Sequence, residues 1–83
     1  MRDHLLIVGA LGVETLPLLR ALRQPRPLSR RLVAGTLGGH PVAVLTCGVG
    51  PEKAARRVAA ALPLWPARAV ASIGTGSYTH LRA

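Results

Sequence analysis

The apolar residues of this chain fall into short runs that are separated by glycines and prolines. Residues 5–8 (LLIV) are continuously apolar and are closed by Gly9. A short unbroken apolar run of this kind is typical of a strand that is buried on both faces, rather than one that alternates between core and solvent. The pattern therefore predicts a buried first strand that ends in a glycine turn.

The next segment predicts an amphipathic helix. Apolar residues recur every three or four positions over residues 13–22, as they do along one face of a helix. A helix that begins near Glu14 would hold Pro17 in its first turn, where proline is tolerated. Pro25 and Pro27 are expected to end it.

The second half of the chain predicts three more strands and a second helix. The dipeptide Gly38-Gly39 is a typical two-residue hairpin turn, so the strands on either side should pair antiparallel. The predicted strands are 31–36, 41–46 and 68–73, and the predicted helix is 51–62, with proline at its first position. The order β-α-β-β-α-β predicts an α/β fold with a mostly parallel sheet, which the antiparallel hairpin makes a mixed central sheet.

Three glycine-containing loops follow predicted strands: residues 9–14, 47–50 and 74–76. In open α/β sheets, ligands bind at the carboxyl ends of the strands. Because all three loops are expected at such ends, the sequence predicts a binding site there.

Composition limits the possible functions. The chain has 83 residues, enough for one small domain or a piece of a larger one, and 49% are hydrophobic, which excludes a disordered tail. Eleven Lys and Arg against three Asp and Glu give a formal net charge of +8, which would suit nucleic acid. No run exceeds two adjacent cations, and no aromatic residues interleave with them. Nucleic acid is therefore not the expected partner, and a small basic nucleic-acid-binding module is kept as the alternative.

The sequence predicts no metal and no cofactor. His4, His40 and His80 are dispersed, and the single cysteine, Cys47, is expected to be a small buried hydrophobe. The apolar run near the N-terminus is too short for a signal peptide or a membrane span. We therefore expect a cytoplasmic protein without a membrane partner.

Glu14 is the candidate catalytic residue, and two interpretations are open. A carboxylate at a helix start complements the helix dipole, and a carboxylate held over a cleft can orient or deprotonate a water. The turn at residues 48–50 is likewise either a plain tight turn or a place where a ligand approaches the backbone. Thr75 either stabilises its Gly-Thr-Gly turn or meets a ligand.

Two nucleotide-binding motifs are missing. The first turn lacks G-x-G-x-x-G, and no Gly-Lys-Ser/Thr occurs. A dinucleotide-binding domain truncated after its first half stays a further hypothesis. Antiparallel pairing of residues 31–36 with 41–46 would count against it, because the sheet of that fold is parallel.

Three segments together resemble the N-terminal part of the nucleoside phosphorylase/nucleosidase superfamily: VGALGVETLPLLRAL, AGTLGGHPVAVLTCGVGPEKAARRVAAAL and AVASIGTG. In that family a Glu follows four residues after a Gly-Ala turn, which matches Gly9, Ala10 and Glu14. The family's Gly-(Ile/Val/Met)-Gly matches residues 48–50, and its Gly-(Ser/Thr)-Ala-Gly-Gly is matched only as residues 74–76. The resemblance covers residues 4–76 and favours the nucleosidase branch, such as methylthioadenosine/S-adenosylhomocysteine nucleosidases and futalosine hydrolases.

The resemblance implies a three-layer phosphorylase-like fold and cleavage of the N-glycosidic bond of a purine-type nucleoside. In the nucleosidase branch, the Glu that matches Glu14 activates the attacking water, whereas phosphorylases use phosphate, which is the alternative reaction. The family also implies a homo-oligomer. The residues expected to line the nucleophile and ribose end are Ala10, Leu11, Gly48, Val49, Gly50, Thr75 and Gly76.

The chain also departs from the family. Members are much longer, and the distal Asp that protonates the base and the Glu that holds the ribose have no counterpart here. We therefore expect residues 1–76 to be the N-terminal part of a phosphorylase-like domain that is inactive alone. Residues 77–83 depart from the family pattern and resemble translated sequencing-adapter sequence, so a non-native tail is expected.

Overall fold

The structure is a computed structural model that describes residues 4–73 and 81–82. Its elements are β1 (Leu5–Gly9), α1 (Gly12–Ala21), β2 (Arg23–Ser29), β3 (Leu32–Leu37), β4 (His40–Thr46), α2 (Pro51–Ala61), β5 (Ala69–Ile73) and β6 (Leu81–Arg82). Within the described residues these six strands form one sheet, in the order β2-β3-β4-β1-β5-β6. The predicted α/β class is confirmed, and the sheet has two more strands than the sequence pattern indicated.

The sheet is mixed, as predicted. β1 lies between β4 and β5 and pairs with both in parallel. β3 and β4 are joined by the turn at Gly38-Gly39 and pair antiparallel, from Leu37 opposite His40 to Leu32 opposite Leu45. This hairpin confirms the expected pairing and counts against the truncated dinucleotide-binding domain.

One helix packs on each face of the sheet, which gives three layers. Leu18, Leu19 and Leu22, from α1 and its C-terminal end, pack against a cluster of alternate sheet residues that includes Ile7, Val42 and Val44. On the other face, α2 contributes Ala54, Val58 and Ala61 to a cluster that includes Leu6, Val8, Ala43 and Leu45. Both faces of β1 and β4 are therefore apolar, which explains the continuous apolar run of β1.

Trp65, which the sequence placed in a connector, belongs to the core. Its side chain is 6% exposed and lies in the cluster under α2. The indole Nε1 donates a hydrogen bond of 3.0 Å to the Leu5 carbonyl, and the ring centroid is 4.3 Å from that of His4. The connector after α2 is thereby fastened to the start of β1.

Residues 23–29 form a strand that the sequence pattern did not predict. α1 ends at Ala21, and Pro25 and Pro27 lie in the edge strand β2, which pairs antiparallel with β3. Proline is tolerated in edge strands because a missing N–H need not interrupt the ladder. Prolines that were interpreted only as a helix stop are therefore part of a strand.

The start of α1 also differs from the prediction. The helix begins at Gly12, so Pro17 lies in its second turn rather than in its first. A proline at this depth removes the hydrogen bond that its N–H would otherwise donate to the Val13 carbonyl. No helix in the described part of the chain is long and apolar enough to cross a membrane.

Leu81 and Arg82 form the short strand β6, which pairs antiparallel with β5. Their partners are Ala71 and Val70. The expectation that residues 77–83 are a non-native tail stays a prediction, as does the boundary at residue 76.

Candidate active site

Three strands end at the same edge of the sheet. The parallel registers place Gly9 of β1 opposite Thr46 of β4 and opposite Ile73 of β5. The loops that follow β1 and β4 therefore meet at the carboxyl edge, where α/β sheets bind ligands. The third loop, with the candidate residues Thr75 and Gly76, lies outside the described residues.

The first two loops are joined by backbone hydrogen bonds. The Cys47 N–H donates to the Gly9 carbonyl, and the Gly48 N–H donates to the Ala10 carbonyl, both at 2.9 Å. These bonds extend the pairing of β1 with β4 beyond the ends of the two strands. The candidate residues Ala10 and Gly48 are thus brought together.

Glu14 lies at the third position of α1 and turns back towards the first loop. Its Oε1 accepts a hydrogen bond of 3.1 Å from the Leu11 N–H, and its own N–H donates to the Leu11 carbonyl at 3.0 Å. This is the carboxylate half of a capping box, which satisfies a donor at the helix start. The structural interpretation of Glu14 is therefore observed, and the same bond fixes its carboxylate at the carboxyl edge.

The loop between β4 and α2 is exposed and contains two glycines with positive φ. Gly48 has a φ of 85° and Gly50 a φ of 113°, while the Val49 side chain between them is 68% exposed. The positive φ disfavours a side chain at position 48, where a Cβ would also lie 3.0 Å from Cδ of the flexible Lys53 side chain. The Gly50 carbonyl accepts the Ala54 N–H at 3.0 Å and begins α2.

Arg57 fastens this loop to α2. Its Nη1 donates a hydrogen bond of 3.3 Å to the Cys47 carbonyl, one helical turn and a half from the start of the helix. The Cys47 side chain is 3% exposed, which confirms the prediction of a buried cysteine. Its thiol donates to the Gly48 carbonyl at 3.3 Å.

Two hydroxyl residues beside the candidate site were not indicated by the sequence pattern. Thr15 is fully buried, and its Oγ1 lies 2.8 Å from the Oγ1 of Thr46 at the end of β4. Thr15 Oγ1 also donates to the Gly12 carbonyl at 3.3 Å. The pair ties the first turn of α1 to the edge of the sheet, directly beside Glu14.

Gly9 allows this close approach. A Cβ on Gly9 would lie 2.5 Å from Cγ2 of Thr15, closer than carbon atoms can pack. The glycine of the first turn is thus required by the position of α1. In the sequence, the only signal for Thr15 and Thr46 was that each stands next to a candidate site residue or loop.

No metal site is found in residues 4–73 and 81–82, where no group of three His, Cys, Asp or Glu residues could hold an ion. His4 precedes β1 and His40 begins β4, so both lie at the edge opposite the carboxyl ends. His80 is outside the described residues.

Comparison with known proteins supports a relationship to one superfamily. A family model described as "Phosphorylase superfamily" matches residues 4–78. Among curated proteins, no significant match is found.

Three solved structures with a similar fold are 5'-methylthioadenosine/S-adenosylhomocysteine nucleosidases. The one from Neisseria meningitidis, in complex with methylthio-immucillin-A, is 21% identical, has a TM-score of 0.79, and is matched over 92% of this chain and 37% of its own. The one from Colwellia psychrerythraea, in complex with adenine, is 21% identical and has a TM-score of 0.80. It is matched over 87% of this chain and 31% of its own. The one from S. pneumoniae, with a transition-state inhibitor, is 21% identical and has a TM-score of 0.73. It is matched over 88% of this chain and 36% of its own. The chain spans about a third of the length of these structures.

Proposed function

Because this chain belongs to the phosphorylase superfamily, we propose that it forms the nucleophile-binding part of a nucleosidase. The reaction is cleavage of the N-glycosidic bond of a purine-type nucleoside by water. The fold is shared with nucleosidases whose structures hold adenine or methylthio-immucillin-A, which supports a purine-type substrate.

The observation that carries this proposal is the position of the Glu14 carboxylate at the carboxyl edge. The Leu11 N–H holds it there by the 3.1 Å hydrogen bond to Oε1. An ionised carboxylate has about four acceptor positions, so holding one N–H is compatible with accepting a hydrogen bond from a water. In the reaction, Glu14 would take the proton of that water as general base while positive charge develops on the sugar.

The loops joined at Ala10 and Gly48 would form the wall beside this water. Gly48 has no side chain and Gly50 none, so a ribose can approach the backbone of this loop closely. Val49 is 68% exposed and would lie against the sugar. In the proposal, Leu11, Thr75 and Gly76 complete the lining at this end.

The charge of Glu14 favours water over phosphate as the nucleophile. A phosphate dianion beside a carboxylate is repelled, and two unit charges 4 Å apart interact by about 4 kcal/mol at an effective dielectric of 20. Water meets no such penalty, and the carboxylate increases its nucleophilicity. Hydrolysis is therefore proposed in preference to phosphorolysis.

The general acid and the base-binding residues are proposed to lie in a longer polypeptide that continues after residue 76. The 83-residue chain alone should then have no activity. We also propose that the longer enzyme is a cytoplasmic homo-oligomer.

The test is the rate of adenine release from methylthioadenosine by the longer enzyme in phosphate-free buffer. Glu14→Gln should lower this rate by about 10²–10⁴, the usual contribution of a general base. Glu52→Gln, which removes a carboxylate from the first turn of the other helix, is the matched control and should leave the rate within about twofold of wild type.

Two results would contradict the proposal. One is a near-wild-type rate for the Glu14→Gln enzyme. The other is a requirement for phosphate with formation of a sugar 1-phosphate, which would identify a phosphorylase. Adenine release by the 83-residue chain itself would show that the general acid is not missing.

A further inference from the structure

A cavity of about 440 Å³ lies between the β2–β3 turn and α2. Its cationic lining consists of Arg30 and Arg31 from the turn and Arg56 and Arg57 from the helix. We call this cavity the arginine groove. Its volume lies within the range of small-molecule sites, roughly 300–1,000 Å³.

The arginine groove is separate from the position of Glu14. Leu45, which lines the groove, belongs to the apolar cluster on the α2 face of the sheet. Glu14 is on α1, which packs on the opposite face. Binding in the groove therefore requires none of the chemistry assigned to Glu14.

Among the described residues, which do not include Asp3, no Asp or Glu carboxylate lines the groove. The sequence contains three such residues, Asp3, Glu14 and Glu52. Glu14 is on the far face, and Glu52 is exposed in the first turn of α2 without lining the groove. Four arginine side chains thus line one cavity, and a bound anion would relieve the repulsion between their charges.

The donors of the groove suit a phosphate group. A guanidinium presents five N–H donors in a planar fork that binds phosphate oxygens in pairs. Arg57 uses Nη1 to hold the Cys47 carbonyl at 3.3 Å, and its remaining N–H groups can still donate. Two adjacent arginines on a turn and two on a helix therefore supply donors from both sides of the cavity.

Apart from Ser29, the rest of the lining is apolar, and it contains no aromatic side chain. Leu45 and Leu64 lie in it, and Leu64 is 51% exposed. Nucleic-acid sites on single strands rely on aromatic side chains for base stacking, and this groove offers none among its lining residues. A ligand with an anionic end and a compact apolar part matches both halves of the lining.

We propose that the arginine groove is a binding site for a small organic phosphate. The arginines hold the phosphate, and Leu45 and Leu64 contact the apolar part of the ligand.

The test is calorimetric titration of the 83-residue chain with hexyl phosphate and, separately, with inorganic phosphate, at one fixed ionic strength. Hexyl phosphate should bind about tenfold or more tightly than inorganic phosphate, because burial of two methylenes already accounts for such a difference. Leu64→Ala should reduce this difference and leave the affinity for inorganic phosphate unchanged.

The cationic lining is tested with the double variant Arg30→Ala/Arg56→Ala, which leaves Arg57 on the Cys47 carbonyl. This double variant should lower the affinity for hexyl phosphate by tenfold or more. Arg20→Ala removes the same kind of charge from the exposed side of α1 and should change the affinity by less than twofold. Circular dichroism and thermal unfolding of each variant exclude loss of the fold as the cause.

If Arg20→Ala lowers the affinity for hexyl phosphate as much as the double variant does, the proposal is overturned. Binding would then depend on the net charge of the protein and not on the groove. Unchanged binding in the double variant would also overturn the proposal. Displacement of hexyl phosphate by a single-stranded oligonucleotide, with a steep loss of its affinity in salt, would assign the groove to nucleic acid instead.

Discussion

Gly9 and Thr15 depend on each other. The absence of a side chain at position 9 leaves room for the Thr15 methyl group, and the Thr15 hydroxyl reaches Thr46 at 2.8 Å. The position of α1 relative to the sheet edge is thus set by three groups: Gly9, the buried Thr15 and the Thr46 hydroxyl. Glu14 precedes Thr15 in the chain, so its place at the carboxyl edge of the sheet follows from this contact.

Gly9→Ala should lower the free energy of unfolding by about 1–3 kcal/mol, because the new Cβ would lie 2.5 Å from Cγ2 of Thr15. Adding Thr15→Ser removes that methyl group but keeps the hydroxyl, and should recover part of the loss. Urea unfolding monitored by circular dichroism measures both changes.

Gly12→Ala is the matched control, since nothing lies within 4 Å of a Cβ at that position. It should change stability by less than about 1 kcal/mol. If Gly9→Ala and Gly12→Ala are equally stable, or if Thr15→Ser recovers nothing, the contact does not set the position of α1.

Among the single residues, the sequence singled out Glu14 as a candidate but did not single out Thr15 or Thr46. Glu14 stood out because carboxylates are scarce in this chain and one follows the first turn. Thr15 and Thr46 carried no such signal. Among the described residues, the Thr15 hydroxyl bonds to the Thr46 hydroxyl and to the Gly12 carbonyl. The pairing of the two threonines depends on the packing of α1 against β4, which a linear sequence does not display.

At the scale of elements, α2 and the loop before it form a unit through Arg57. The arginine reaches back from the second turn of the helix to the Cys47 carbonyl. This bond ties the loop of residues 47–50 to the helix, in addition to the backbone bonds that tie it to β1.

Arg57→Ala should therefore loosen the loop. We expect faster hydrogen exchange at the Cys47 and Gly48 amides and a loss of about 0.5–1.5 kcal/mol in stability, the net contribution of one hydrogen bond. Arg56→Ala, on the neighbouring exposed position, should change neither quantity. Exchange followed by NMR decides this, and equal rates in the two variants would mean that the bond does not restrain the loop.

The elements with a regular apolar period were predicted well, and the edge of the sheet was not. β1, β3, β4, α2 and β5 lie within two residues of their predicted bounds because buried faces impose a clear pattern. β2 is almost wholly exposed and contains two prolines, so it shows neither alternation nor β-propensity. Its existence depends on pairing with β3, a tertiary contact that overrides the local sequence.

At the scale of the whole molecule, the three-layer arrangement divides the chain into two chemically different faces. The carboxylate of Glu14 begins the helix on one face, and the arginine groove lies on the other. The two arginine pairs are 26 positions apart in sequence. They come together because the β2–β3 turn lies next to α2 in the fold. Composition indicated the charge, but the fold determines where it is concentrated.

The length of the nucleosidases with this fold leads to a prediction for the gene. Because this chain spans about a third of their length, we expect the genomic reading frame to continue beyond codon 76 with the family's Gly-Gly and to encode the distal Asp further on. Sequencing the genomic DNA across this point tests the proposal. A stop codon directly after codon 83 in the source genome would contradict both the longer enzyme and the non-native tail.

The two prolines of β2 also determine how the sheet can grow. A strand that approached the outer edge of β2, from another molecule or from an unfolded copy, would find no N–H at Pro25 or Pro27 and would form a broken ladder. Sheet extension is thus disfavoured on that side, and the molecule has a direction in which it resists polymerisation. Replacing both prolines would remove this protection. The two residues that made β2 hard to predict from the sequence therefore also keep its edge from acting as a template for aggregation.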